Sequence, residues 1–262
     1  MSRTTLKSPA EIDLMDRANR IVRAVLEALR ERVRPGMTTA EIDAFAEGEI
    51  RRAGAEPAFK GYPHRGDGRD FPATVCASVN DEVVHGIPSS RVALKDGDIL
   101  SIDCGVLYKG YFGDAAETYA VGTISPEAQR LLRVTREALH LGVEQARPGN
   151  RVSDIGHAVQ SHVEAHGYSV VREFVGHGIG SSLHEEPQVP NFGKPGHGVR
   201  LAPGMVLAIE PMVNAGGPEV LLSAADGWTA RTRDGSLSAH FEFSVAVTED
   251  GPRVLGDPRG QA

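Results

Sequence analysis

The chain has 262 residues, 40% hydrophobic and 24% charged, enough apolar material to bury a core in one large domain or two small ones, which excludes a disordered or fibrous protein. Lys and Arg total 28 against 35 Asp and Glu, a formal charge of -7, which argues against holding nucleic acid or an anionic membrane by bulk electrostatics. Cys76 and Cys104 are the only cysteines and form no CxxC, which excludes a disulfide framework or a four-cysteine zinc module and suits a reducing compartment.

The first ten residues, MSRTTLKSPA, lack the apolar centre of a signal peptide, and no run approaches the roughly 18 apolar residues of a membrane span. A soluble, cytoplasmic protein is expected. Residues 11–33 and 39–53 carry apolar side chains at helical spacing (Ile21, Val22, Val25, Leu26 and Leu29, then Ile42, Phe45 and Ile50), with Arg34-Pro35-Gly36 as the break and Thr38 or Thr39 as N-cap. Short β-rich runs follow at 74–79, 98–107 and 111–121. A second helix pair is predicted at 126–144 and 153–166, and further strands at 205–213 and 240–247.

The order repeats because the sequence does. Residues 33–42 (VRPGMTTAEI) recur as 146–155 (ARPGNRVSDI), and residues 94–103 (LKDGDILSID) recur in the same order as 201–210 (LAPGMVLAIE). Extra residues in the Gly/Arg/Asp-rich stretch 61–70 account for the unequal offsets. The chain therefore reads as one catalytic domain over 1–262 with internal halves of about 10–125 and 126–252. Its class is α+β, with duplicated helices packed about a pseudo-twofold on a curved antiparallel sheet. Chemistry is expected where the halves meet.

Within strands that otherwise read as buried, Asp103 follows Ile99, Leu100 and Ile102, and Glu210 takes the equivalent place after Val206, Leu207 and Ile209. An unpaired carboxylate there is costly. Tyr108-Lys109-Gly110 is the tip of a hairpin. A loop of Tyr108 and Lys109 places Asp103 directly across from Asp114, with Cβ atoms about 4.5–5.5 Å apart, whereas a loop centred one residue later makes them diagonal neighbours. Two carboxylates that close do not both ionise cheaply unless a cation lies between them. The alternative is that Asp103 merely ends a strand and Asp114 is a solvated turn residue, but the repeat at Glu210 weighs against two independent strand ends. Glu242 is a fourth acid in a strand-like alternation. His177 lies in Gly176-His177-Gly178-Ile179-Gly180, whose glycines are expected to let the backbone turn sharply, and His184 and His85 are the other candidate imidazoles. Four carboxylates and a neutral imidazole call for two divalent cations, and oxygen-rich ligation with one nitrogen suits Mn, Fe(II) or Co.

These residues, with Ser78-Val79-Asn80-Asp81-Glu82-Val83-Val84-His85-Gly86-Ile87-Pro88, Gly113-Asp114, His184-Glu185-Glu186-Pro187-Gln188 and Ile209-Glu210-Pro211, resemble type I methionine aminopeptidases, of the pita-bread (creatinase/aminopeptidase) fold, over roughly residues 6–255. The resemblance implies a metallopeptidase that removes the N-terminal methionine from nascent proteins when the second residue is small, using two divalent ions (Co, Mn, Fe(II) or Zn) to activate water. It implies Asp103, Asp114, His177, Glu210 and Glu242 as metal ligands and Glu210 as proton shuttle. It also implies His85 and His184 as catalytic groups flanking the substrate, and a methionine pocket walled by Tyr62, Phe71, Cys76 and Trp228. It implies a monomer, with transient ribosome contact as a further expectation and no nucleic-acid specificity. Three features depart from the family pattern. Segment 60–71 is longer than the short Gly-Tyr to Phe-Pro connection of bacterial members, which weighs against Tyr62 as a pocket residue. Leu183 replaces a common Phe, and Phe243-Ser244 replaces His-Thr, removing a donor that could support a ligand.

Related readings are separable. Prolidase and aminopeptidase P share this catalytic half but carry an additional N-terminal domain, creatinase-like members lack the acidic set, and a non-catalytic ribosome- or nucleic-acid-binding relative is expected to show broken ligands and a basic surface.

Overall fold

The computed structural model describes residues 4–64, 66 and 68–257. Residues 1–3 of the N-terminal stretch and Arg65 and Asp67 of the long segment lie outside the described residues. Among the described residues there are four helices: α1 (Pro9–Arg32), α2 (Thr39–Arg52), α3 (Pro126–Glu144) and α4 (Val152–Ala165). Their starts follow local chemistry. Ser8 and Thr38 accept from the backbone of Glu11 and Glu41 while those glutamates reach back, two reciprocal capping boxes, and Pro9 and Pro126 occupy the first helical position.

The strands of the first half are β1 (Glu56–Pro57), β2 (Val75–Val79), β3 (Glu82–Val84), β4 (Ile99–Tyr108) and β5 (Tyr111–Ala120). Those of the second are β6 (Ser169–Val170), β7 (Gly176–Gly178), β8 (Glu185–Val189), β9 (Val206–Ile209), β10 (Met212–Asn214), β11 (Val220–Leu222), β12 (Ala230–Thr232), β13 (Ser238–His240), β14 (Phe243–Thr248) and β15 (Gly251–Val254). Among the described residues every pairing is antiparallel. Strand β4 pairs with β1, β2 and β5, and a five-stranded sheet runs β15-β14-β9-β7-β8.

The sequence repeat is a repeat of backbone hydrogen bonds. Gly36 donates to the Leu94 carbonyl and Gly149 to that of Leu201, while Leu94 donates to Met37 and Leu201 to Asn150. Gly36 and Gly149 share φ of 90° and 94°, Gly97 and Gly204 φ of 95° and 91°, a left-handed region where glycine carries little steric penalty. One apolar core gathers α1, α2, β2, β4 and β5 around Leu29, Ile50, Leu100 and Ile102. A second gathers α3, α4, β9 and β14 around Leu139, Ile155, Leu207 and Val245. A third, with Met15, Phe71, Cys76, Ile179 and Leu183, joins residues of both halves.

Two expected strands prove to be broken. The run 205–213 divides into β9 and β10 at Glu210-Pro211, and 240–247 begins in β13 and resumes as β14 after Phe241-Glu242. Proline has no N–H to give a ladder, and the two breaks face one another, since Ile209 pairs with Phe243 on one side and Met212 with His240 on the other. Both segments leave the five-stranded sheet here and enter the small sheet β13-β10-β6. Two acids thus sit where neither sheet claims their backbone. Among the described residues, no helix is long and apolar enough to cross a membrane.

Candidate metal centre and active site

Hairpin β4–β5 carries the first two acids. Tyr108 pairs with Tyr111, so the two-residue loop is Lys109-Gly110, both at positive φ (50° and 84°) as a type I′ turn requires. Asp103 therefore pairs with Ala116, and Asp114 with Gly105. The direct pairing of Asp103 with Asp114 does not occur. They are diagonal neighbours on one face, the alternative that a loop one residue later demands, and Cys76 on β2 stands directly beside Asp103. Helix α1 lies so close that a Cβ on Gly113 would come within 2.7 Å of its backbone, and Asn19 on that helix accepts from the Asp114 backbone N–H at 3.3 Å.

The second half brings its groups against the same face. The Glu242 N–H donates to Ala116 at 2.9 Å, and the Ser244 hydroxyl to the Asp114 carbonyl at 2.8 Å. Phe243, by contrast, carries the Arg23 guanidinium over its ring at 4.6 Å. Ser244 thus supports the Asp114 backbone and not a ligand carboxylate. His177 sits in mid-sheet, in β7 between β8 and β9. The glycines beside it do not make a turn. A Cβ on Gly176 would lie 2.3 Å from the Ala208 carbonyl oxygen and one on Gly178 2.4 Å from that of Glu186, so close backbone approach is what excludes side chains there.

The electrostatics of the cluster are unfavourable as protein alone. Burial pushes the Asp103 carboxyl up to about 7, and burial with the charges of Glu242 and Asp103 holds Asp114 well above the carboxylate range. Burial likewise raises Glu210, with help from Asp103 and Asp114, and Glu242, with help from Glu210 and Asp103. One oxygen each of Asp103, Asp114 and Glu242 is buried without a hydrogen-bond partner. His177 Nδ1 faces the Gly178 carbonyl at 2.9 Å. A carbonyl only accepts, so Nδ1 carries the hydrogen. Burial lowers this imidazole's pKa, which leaves Nε2 a lone pair 3.6 Å from Glu210 Oε1. Ligand atoms of Asp114, His177 and Glu242 lie within 4.8 Å of one another. Orphaned carboxylate oxygens, a neutral imidazole fixed by a carbonyl and mutual repulsion are what a divalent cation relieves, so the residues present fit such a group.

Beside the acids lies a cluster of aromatic and apolar side chains. The His184 ring lies against that of His177, 4.2 Å between centroids and tilted by 50°, and its Nδ1 is 2.8 Å from the Tyr62 hydroxyl. The long 60–71 segment does not draw Tyr62 away, because it is pinched at its base: Gly61 donates to Phe71, and Phe71 to Tyr62. His64 packs edge-on against Trp228 at 5.1 Å between ring centroids, and Trp228 meets Phe71 edge-on at 5.3 Å and His85 at 6.2 Å. Tyr62, Phe71, Cys76, Leu183 and Trp228 belong to one apolar cluster.

His240 was not among the candidate residues. It is buried, its Nε2 has no partner and lies 3.7 Å from Glu210 Oε2, and burial with His85 nearby lowers its pKa to about 3. The available signal was its place two residues before Glu242 in an alternating run. Lys7 and Glu185, a buried ion pair at 2.5 Å next to His184, left no local signal.

The model of metallopeptidase family M24 matches residues 13–249. The methionine aminopeptidase of Clostridium perfringens is 53% identical over 250 residues, covering 95% of this chain and 97% of that protein. The crystal structure of methionine aminopeptidase from Thermotoga maritima superposes with a TM-score of 0.93 at 43% identity, covering 97% of this chain and all of that one. A prolidase from Pyrococcus furiosus shares the fold alone, with a TM-score of 0.74 and 24% identity over 96% of this chain and 65% of its own.

Proposed function

The chain belongs to metallopeptidase family M24, and from that premise we infer that it is an aminopeptidase that removes N-terminal methionine in a metal-dependent hydrolysis. The buried acid cluster with its orphaned oxygens carries this reading, since it has no purpose in a folded protein without a cation. Full-length similarity to methionine aminopeptidases, against likeness of fold alone to a prolidase, supports methionine over an X-Pro bond.

We assign Asp103, Asp114, His177, Glu210 and Glu242 as ligands of two divalent ions. When bound, such ions supply a water of lowered pKa and polarise a carbonyl. The remaining chemistry belongs to the chain. Glu210 stands between His177 and His240, with ring nitrogens 3.6 and 3.7 Å from its two oxygens, and takes the proton released as water attacks, then returns it to the leaving amine. A Tyr62 hydroxyl donating to His184 Nδ1, 2.8 Å away, would leave the ring's hydrogen on Nε2 for donation to the carbonyl oxygen of the tetrahedral intermediate. His85, edge-on to Phe174 and Trp228, orients the substrate. Phe71, Cys76, Tyr62 and Trp228 exclude water from the methionine side chain, and the closeness of that wall favours small second residues. The enzyme is assigned to the cytoplasm as a monomer acting on nascent chains, with transient contact at the ribosome.

The test is hydrolysis by protein reconstituted with Mn(II) or Co(II). Met-Ala-Ser is expected to release methionine, with little cleavage of X-Pro peptides, and preference for the X-Pro bond would overturn the reading. In the same assay His184→Ala is expected to lower kcat by about 10²-fold while retaining its metal. Full activity in that variant would remove His184 from the mechanism.

A further inference from the structure

A second group of metal-ligating side chains lies outside the acid cluster. Glu137 on α3, His162 on α4 and His166 at the C-cap of α4 each offer one ligand atom, all within 4.8 Å of one another. The two histidines are four residues apart and so share a helix face, with ring centroids separated by 4.4 Å. His166 Nδ1 lies 2.8 Å from the His162 carbonyl, so it must carry the hydrogen and Nε2 is left with a lone pair when the ring is neutral. His162 Nε2 is 3.1 Å from Glu137 Oε2. Arg133, which donates to both oxygens of Glu137, and His162 hold that carboxyl below its ordinary range. All three side chains are partly exposed, so an ion can reach them from solvent.

We propose that Glu137, His162 and His166 form a second metal site, which takes one borderline divalent cation such as zinc(II) and bridges α3 to α4. Two imidazoles and one carboxylate are a zinc-type donor set with a fourth position left for water. The hydrogen bond from His166 Nδ1 to a backbone carbonyl is the kind of support that fixes the ring of a ligating histidine. The cation takes the place of the hydrogen that lies between His162 and Glu137. Arg133 opposes it, because the same carboxylate then serves both. This site shares no residue with the proposed catalytic centre and is independent of the reaction assigned to it.

The test is zinc(II) binding measured by competition with a chromophoric chelator, on the wild-type chain and on His166→Ala, His162→Gln, Arg133→Gln and His157→Ala, with far-UV circular dichroism as the check of folding. His157 is an exposed histidine of α4 outside the group and serves as the control. The wild-type chain is expected to hold one zinc equivalent more than His166→Ala or His162→Gln, with affinity at this site weakened at least 10-fold, the lower end of what loss of a supporting partner alone costs. His157→Ala should match wild type, Arg133→Gln should bind more tightly, and the difference should persist when Asp114→Asn is added to both chains. Equal zinc binding by folded His166→Ala, His162→Gln and wild type, or an equal loss in His157→Ala, overturns the site.

Discussion

Asp114→Asn is expected to lower kcat/KM for Met-Ala-Ser by at least about 10³-fold and, at the same time, to make the metal-free protein more stable. The first effect follows from losing a ligand to a Lewis acid whose stabilisation of transition-state charge is worth several kcal/mol. The second follows from the interior that Asp114 occupies. Its Oδ1 has no partner, and burial, Glu242 and Asp103 all disfavour its charge. An amide of the same shape is neutral without taking up a proton, so it avoids the cost of protonating the buried carboxyl, about 1.4 kcal/mol for each pH unit above the unfolded carboxyl value. Thermal unfolding in EDTA should therefore show a higher midpoint for Asp114→Asn than for wild type, and with Mn(II) present the order should reverse. A variant that loses activity and metal-free stability together would mean that Asp114 is a structural residue held by the hydrogen bonds of β5.

The second large effect is a dependence of metal-free stability on pH. Asp103, Asp114, Glu210 and Glu242 all have folded pKa values raised by burial and by one another. A group whose folded pKa is raised contributes stability that is complete below its unfolded pKa and is lost as pH rises through the folded value. Between pH 7 and 8 the histidines are mostly neutral in the unfolded chain, given an ordinary value of about 6.5, and His177 and His240, with lowered values, are neutral in the folded one. The carboxyls then dominate the slope. Urea unfolding of the EDTA-treated protein is expected to lose about 1.4 kcal/mol over that unit for each carboxyl that keeps its proton when folded. Once a cation holds the same acids ionised, folded and unfolded states bind equal protons there, and the slope should vanish. A metal-free protein equally stable at pH 7 and 8 would contradict the raised values.

Much of this architecture was readable in residue order because its determinants are local. The Pro-Gly breaks at 35–36 and 148–149, the capping residues and the helical spacing act within a few positions, so both helix pairs and the duplication followed from them. The register of β4–β5 needed one more fact. Lys109 accepts a left-handed backbone, and that choice moves every pairing and turns a direct Asp103–Asp114 contact into a diagonal one. The change of sheet at Glu210-Pro211 and Phe241-Glu242 was hidden for a different reason. Each run is apolar enough to read as a continuous strand, and only the meeting of the two breaks separates them. His240 was obscured in the same way, since its proximity to Glu210 arises from that kink. The Lys7–Glu185 pair spans 178 positions and depends on tertiary packing alone.

What unites the site is that four carboxyls crowd one largely buried cluster, and that arrangement is stable in ionised form only with a cation among them. The direct measurement is isothermal titration calorimetry of the metal-free chain with Mn(II) at pH 7, in two buffers of different ionisation enthalpy. Ligation must expel protons held by the acids, so tight binding with release of at least about one proton per ion is expected. Absent binding, or binding that releases no protons, would contradict the account.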